Sequence, residues 1–303
     1  MQIFYSDQFV IPLPENHRFP IQKYALLRQR VMEHLEARTI EMRIPLAAQD
    51  RELLRAHRQD YIRKVTTGNL SEKEIRRIGF PWSPELVERS RRSVGGTIGA
   101  CRAALANSFA CNLAGGTHHA YAAHGEGFCV FNDAAVAARA MQEEGLAKHI
   151  VIIDLDVHQG NGTAAIFQNE PSVFTFSIHG ARNFPFHKER SDLDIALDDD
   201  VDDEAYLEAL KPGLQAALDH SMADLAIYIA GADPFSGDRL GRLCLSKSGL
   251  AQRDRMVFDF CRQKGLPVAT VMGGGYAKDV NDTVDIHFET IRLANEYSRK
   301  EKE

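Results

Sequence analysis

A chain of 303 residues, 44% hydrophobic and 26% charged, has an ordinary globular composition. Its formal net charge of -6 argues against nucleic acid as the direct ligand, because phosphate backbones are held by clustered Lys and Arg; a basic peptide meets less resistance. No apolar run approaches about 20 residues, and the first residues lack a basic segment followed by an apolar one, so neither a membrane span nor an export signal is expected.

The predicted elements begin with a strand at residues 2–5, followed by charged helices around 22–37 and 47–65. The rest of the first hundred residues is less legible, and the cluster Arg89, Arg91 and Arg92 reads as a solvated helix face. Short apolar, β-branched runs then predict strands at 108–113, 149–155, 172–178, 224–229 and 266–271. Helical patterns at 133–144, 162–167, 203–220, 250–264 and 280–297 alternate with them. That alternation predicts βαβ units, hence an α/β fold with a central, mostly parallel sheet flanked by helices on both faces. No repeat, low-complexity tract or Gly/Ser linker marks a boundary, so residues 1–303 are expected to form a single domain. The acidic run Asp198, Asp199, Asp200, Asp202, Asp203 and Glu204 reads as a solvated loop and helix start, where carboxylates cap amides and meet the helix dipole. The five cysteines, Cys101, Cys111, Cys129, Cys244 and Cys261, contain no C-x-x-C pair, and their odd number suits free thiols in a reducing, cytoplasmic compartment. No surface helix stands out as an oligomer interface.

Open parallel sheets bind ligands outside the carboxyl ends of their strands, and several such ends here carry polar clusters. After 149–155 the chain reads Asp154, Leu155, Asp156, Val157, His158, Gln159, Gly160, Asn161, and strand alternation puts Asp154, Asp156 and His158 on one side. Asp233, directly after 224–229, can supply a third ligand. Two carboxylates and an imidazole form an open site suited to zinc, with a position left for water. An ordinary ion pair at a strand end is the alternative for Asp156 and His158. After 108–113 comes Gly115-Gly116-Thr117-His118-His119. Imidazoles move protons near neutral pH when neighbouring acceptors fix their tautomers, and Asp154 and Asn161 are available for that. Met272-Gly273-Gly274-Gly275-Tyr276 follows 266–271 and lacks the Lys-Ser/Thr ending of a P-loop. It reads as a turn that lets backbone approach a ligand and presents a phenol to a developing oxyanion.

Taken together these residues resemble the histone deacetylase family, within the arginase/deacetylase fold. The resemblance rests on HHA at His118, GFCVFND at Gly127, DLDVHQGNG at Asp154, SIH at Ser177, GAD at Gly231 and GGGY at Gly273, all in that family's order. It implies a zinc-dependent deacylase that hydrolyses the amide of an acylated amine: an acyl-lysine in a peptide, or a small acetylated amine such as a polyamine. Asp156, His158 and Asp233 match the family's Zn2+ ligands. His119, oriented by Asn161, matches the histidine that activates the attacking water and later protonates the leaving amine. His118, backed by Asp154, matches its electrostatic neighbour, and Tyr276 the donor to the oxyanion. Gly127, Phe128, Phe184 and Gly274 fall at the acyl-binding tunnel, and a structural K+ is implied at Asp154 and Ser177. Asn161 stands where class I members have Asp, which should leave His119 less basic. Gly115-Gly116-Thr117 precedes the histidines where many eukaryotic members have a Pro-Gly pair. With Phe80-Pro81-Trp82-Ser83, these features look closer to the class IV and bacterial branch. An arginase-like ureohydrolase with a binuclear manganese centre needs an Asp-x-His-x-Asp run, and here its final position is Gly160. A noncatalytic acyl-binding protein is a third reading.

Overall fold

The computed structural model describes residues 1–299; residues 300–303, the end of the expected 1–303 domain, lie outside the described residues. Eight strands, β1 (Gln2–Phe4), β2 (Glu41–Arg43), β3 (Phe109–Asn112), β4 (Ile150–Asp154), β5 (Val173–Gly180), β6 (Leu193–Leu197), β7 (Leu225–Gly231) and β8 (Val268–Gly273), make one sheet. Their order is β2-β1-β3-β8-β7-β4-β5-β6, and every neighbouring pair is parallel. The inner strands IVIID, LAIYIAG and VATVMG are buried at every residue, as strands covered on both faces must be.

Ten helices occur among the described residues: α1 (Lys23–His34), α2 (Asp50–Leu53), α3 (Gln59–Thr67), α4 (Glu72–Ile78), α5 (Pro84–Asn107), α6 (Asp133–Glu143), α7 (Asn161–Phe167), α8 (Asp203–Ser221), α9 (Lys247–Gln263) and α10 (Val280–Arg299). They cover both faces, as alternation along β4 shows. Ile150 and Ile152 pack with Ile98 and Cys101 of α5 and Met141 of α6. Val151 and Ile153 pack with Leu210 of α8, Val257 of α9 and Ile291 of α10. The expected α/β architecture is therefore present, with strand boundaries within a few residues of expectation. No helix is long and apolar enough to cross a membrane among the described residues.

Four local expectations meet a different outcome or a specific cause. The single helix expected at 47–65 is two, α2 and α3, because the intervening His57 turns inward: Asn132 N donates to its Nε2 at 2.9 Å, and its Nδ1 lies 3.0 Å from Tyr121 O. The Arg89 cluster is not a solvated face. Arg89 is buried with its guanidinium 4.5 Å from the Tyr24 ring, while Arg91 and Arg92 donate to the carbonyls of Ala48 and Pro45. The acidic run does start a helix, with Asp202 accepting from Ala205 N at 3.1 Å as N-cap of α8. All five cysteines are free, four of them buried and Cys244 exposed.

Candidate active site

Four adjacent strands, β3, β8, β7 and β4, end on one edge of the sheet, and the loops leaving them carry the candidate residues. His118 and His119 follow β3, Asp154 closes β4 with Asp156 and His158 just beyond, Asp233 follows β7, and Tyr276 follows β8. Strand alternation does not align Asp154, Asp156 and His158, because β4 stops at Asp154. The chain instead turns on its own carboxylates. Asp156 N donates to Asp154 Oδ1 at 3.2 Å, and His158 N donates to Asp156 Oδ1 at 2.9 Å.

That turn brings Asp156 and His158 to Asp233, and the ligand atoms of the three lie within 4.8 Å of one another. His158 Nδ1 stands 2.9 Å from Asp156 Oδ1 and 3.2 Å from Asp233 Oδ2. Asp233 is fully buried; its Oδ1 accepts from Val157 N at 2.9 Å, while its Oδ2 has the His158 ring 3.2 Å away but makes no well-aligned hydrogen bond among the described residues. A buried carboxylate oxygen without an aligned hydrogen bond is costly unless a cation completes its surroundings. Burial opposes a charge on His158, yet Asp156 and Asp233 overcome it and raise the imidazole to about 10, so the set as a whole favours positive charge. Two carboxylates and one imidazole, the donor set of open zinc sites, thus fit a divalent ion. Gly274, at φ +53°, closes over this set, and a Cβ there would overlap the Asp233 carboxylate.

The paired histidines differ in what they face. His118 Nδ1 lies 2.6 Å from Asp154 Oδ2, and His119 Nδ1 lies 2.7 Å from Asn161 Oδ1. Burial opposes protonation of His118, but Asp154 and Asp156 outweigh it and raise the ring to about 9. His119 is held well below the usual imidazole value by burial and by the positive charges of His118 and His158. Asp154 thus favours the charged form of His118, while burial favours the neutral form of His119. Burial, then the nearby Asp233 and Asp156, raise the Tyr276 phenol well above its usual value, so it stays a donor.

These groups open into a cleft of about 890 Å3. Both expected aromatic walls line it: Phe184 packs edge-on to His119 at 4.9 Å between centroids, and Phe128 lies 6.0 Å from the Tyr276 ring. Phe128 holds a left-handed φ of 64°, a strained conformation for an aromatic residue, with its N–H donating to Ile78 O at 2.7 Å. Ser177 pairs in register with Asp154 across β4 and β5, placing both implied K+ residues side by side.

The profile of one family, described as the histone deacetylase domain, matches residues 17–291. The chain belongs to the histone deacetylase family. An uncharacterized protein of Picosynechococcus sp. is 45% identical over 294 residues, covering 97% of this chain and 98% of that protein. Histone deacetylase 2 of Arabidopsis thaliana is 32% identical over 244 residues, which are 77% of this chain and 63% of that protein, so the chain spans less than two thirds of that relative. A solved HDAC homolog from Aquifex aeolicus superposes with a TM-score of 0.83 at 23% identity, covering 98% of this chain and 83% of that one. The fold is accordingly that of the histone deacetylases.

Several supports of this histone deacetylase site do not stand out in the sequence. Lys23 is buried and its ammonium donates to the carbonyls of Gly274 and Gly275, anchoring the glycine turn from a distant helix. Asp238 accepts from Tyr276 N at 2.6 Å and fixes the phenol's backbone. Asp133 accepts from Thr117 N at 2.7 Å and from Thr117 Oγ1 at 2.6 Å, holding the turn before the histidines. The Tyr121 hydroxyl donates to Glu189 at 3.1 Å, tying the chain just after the paired histidines to the loop that follows β5. Asp133 lies inside the GFCVFND run and Asp238 close behind the GAD run, so proximity to a motif is the signal for those two. Tyr121, directly after the HHA run, shares that signal, and Lys23 carries none.

Proposed function

We propose that this chain is a zinc-dependent amidohydrolase that cleaves the amide of an acylated amine, with acyl-lysine as the leading substrate class. The observation that carries the reading is the meeting, in one cleft, of a three-ligand cation set, a neutral histidine and a buried phenol. Zinc held by Asp156, His158 and Asp233 would supply Lewis acidity and lower the pKa of water towards about 7.

The remaining chemistry belongs to the chain. Asn161 Oδ1 accepts the Nδ1 proton of His119, leaving the Nε2 lone pair to take a proton from the attacking water. The same nitrogen then returns that proton to the departing amine. Tyr276 donates to the carbonyl oxygen as negative charge builds on it, and the His118 cation, held by Asp154, adds a fixed positive field. Phe128 and Phe184 flank the acyl chain and exclude water. A structural K+ at Asp154 and Ser177 belongs to the same reading, as does treatment of residues 1–303 as one catalytic domain, which the single sheet supports. Asn161 and the Gly115-Gly116-Thr117 turn favour the class IV and bacterial branch, and the free, exposed Cys244 suits a cytoplasmic location. The one metal-competent group among the described residues has three ligands, and Gly160 offers no bridging carboxylate, which weighs against a binuclear manganese centre.

The test is hydrolysis of a fluorogenic panel carrying acetyl-, trifluoroacetyl- and long-chain acyl-lysine, with acetylated polyamines beside it. Metal-free protein, zinc-restored protein and Tyr276→Phe are compared. Zinc-dependent turnover that collapses in the variant supports the deacylase; stoichiometric zinc with no turnover on any substrate would favour a noncatalytic acyl-binding protein.

A further inference from the structure

The rim of the cleft runs against the charge of the protein. The chain is formally -6, yet the exposed residues lining the cleft include Arg18, Arg76, Arg77, Arg182 and Arg242. Outside the metal set, Glu126 is the only lining carboxylate among the described residues, and it faces His124 at 3.6 Å. Arg182 and Arg242 share one carboxylate, Asp199, at 3.6 and 3.0 Å. Arg76 has an exposed contact with Glu72 at 3.3 Å. Arg18 and Arg77 have no ion-pair partner among the described residues. The arginines come from separate parts of the fold: the segment before α1, the last turn of α4, the loop after β5 and the loop before α9.

Guanidinium groups in excess over their local carboxylates create a positive field that gathers anions, and their planar forks match a carboxylate with two parallel hydrogen bonds. With the scissile amide at the buried metal set, the amine-bearing part of the substrate lies among these arginines. We propose that the cleft selects acylated amines that carry a carboxylate beyond the amide, and that it disfavours polycationic substrates such as acetylated polyamines or lysine-rich tails. The inference rests on the deacylase reading for the position of the amide. The carboxylate has two possible sources, the α-carboxylate of a free Nε-acyl amino acid or the acidic side chains of a peptide.

The experiment measures kcat/KM and, separately, Kd by fluorescence anisotropy for labelled peptides with one acetyl-lysine flanked by Glu, Gln or Lys. The full chain carries one equivalent of zinc, and free Nε-acetyl-lysine and its α-amide are run in parallel by chromatography. At low salt the Glu-flanked peptide should exceed the Lys-flanked one by about tenfold, and the gap should narrow as salt screens the rim. It should narrow again in Arg77→Gln with Arg182→Gln. A larger preference for free acetyl-lysine over its amide assigns the small-molecule source, and a preference confined to the Glu-flanked peptide assigns the protein source. Equal rates, or a preference for the Lys-flanked peptide, would overturn the inference. If nothing turns over, an acidic-over-basic ranking in Kd keeps it while the deacylase reading falls, and a flat Kd series overturns it too.

Discussion

His119 Nδ1 donates to the side-chain oxygen of Asn161 at 2.7 Å, so the ring nitrogen that faces the cleft is the unprotonated one. An amide in this position fixes a tautomer without adding charge, and the ring stays well below the usual imidazole value through burial and neighbouring cations. Asn161→Asp would favour the imidazolium and raise that value. A base with a higher pKa becomes protonated sooner as pH falls, so the acid limb of the kcat/KM profile should move to higher pH by about one to two units. An unmoved limb would remove Asn161 from control of the base.

Tyr276→Phe deletes a phenol that burial keeps protonated across the working range. The expected loss is about 10² to 10³ in kcat, with zinc stoichiometry unchanged by elemental analysis. Equal loss of metal would mean that the phenol supports the ligand set instead of the oxyanion.

Asp233→Asn keeps an oxygen for Val157 N but removes a carboxylate that burial and Asp156 both push towards its neutral form. Asp156 still pairs with His158 in the variant, so the metal-free variant should melt at a higher temperature than the metal-free parent, because the repulsion between two buried carboxylates sharing one imidazole is gone. The stabilisation on adding zinc should shrink, since a ligand is lost. Paired thermal melts with and without zinc read both effects.

His57 contributes to stability through being neutral. Its ring accepts from Asn132 N and faces the Tyr121 carbonyl, and burial lowers its pKa from 6.5 to about 4. Between those values the unfolded chain takes up a proton that the folded chain refuses, so this contribution is complete above pH 6.5 and is lost as pH falls towards 4. The full loss is about 3 kcal/mol. Urea midpoints at stepped pH should show the decline, and His57→Gln should flatten it while lowering stability throughout.

The parts of the molecule legible in sequence are those whose signal is local. β4, β7 and β8 read as strands because uninterrupted apolar runs are what a doubly covered strand requires. The candidate ligand set is legible because each motif lies at a strand end. α5 is legible only as a helix face around Arg89 and not in its extent, although Ser83 and Pro84 form a proper helix start, because its glycines resemble a loop. Gly95 is there for contact: a Cβ would overlap the Leu46 carbonyl. β6 shows an alternating LDIAL pattern, half-buried at the sheet edge, which was too short to separate from its acidic surroundings. Arg89 reads as a surface cation and Lys23 draws no notice because what buries them comes from elsewhere in the chain: α1 supplies Tyr24 against Arg89, and the turn after β8 supplies the carbonyls that hold Lys23.

β3 and β4 come close together along the chain but never pair, since the places between them in the sheet belong to β8 and β7. During synthesis both strands must emerge and persist with open, apolar edges until residues 225–273 arrive to fill the gap. A chain arrested before that point is a candidate for chaperone capture or aggregation. The candidate cation set is complete only when Asp233 and the glycine turn arrive from beyond residue 230, so ion uptake would report that β7 and β8 have taken their places in the sheet.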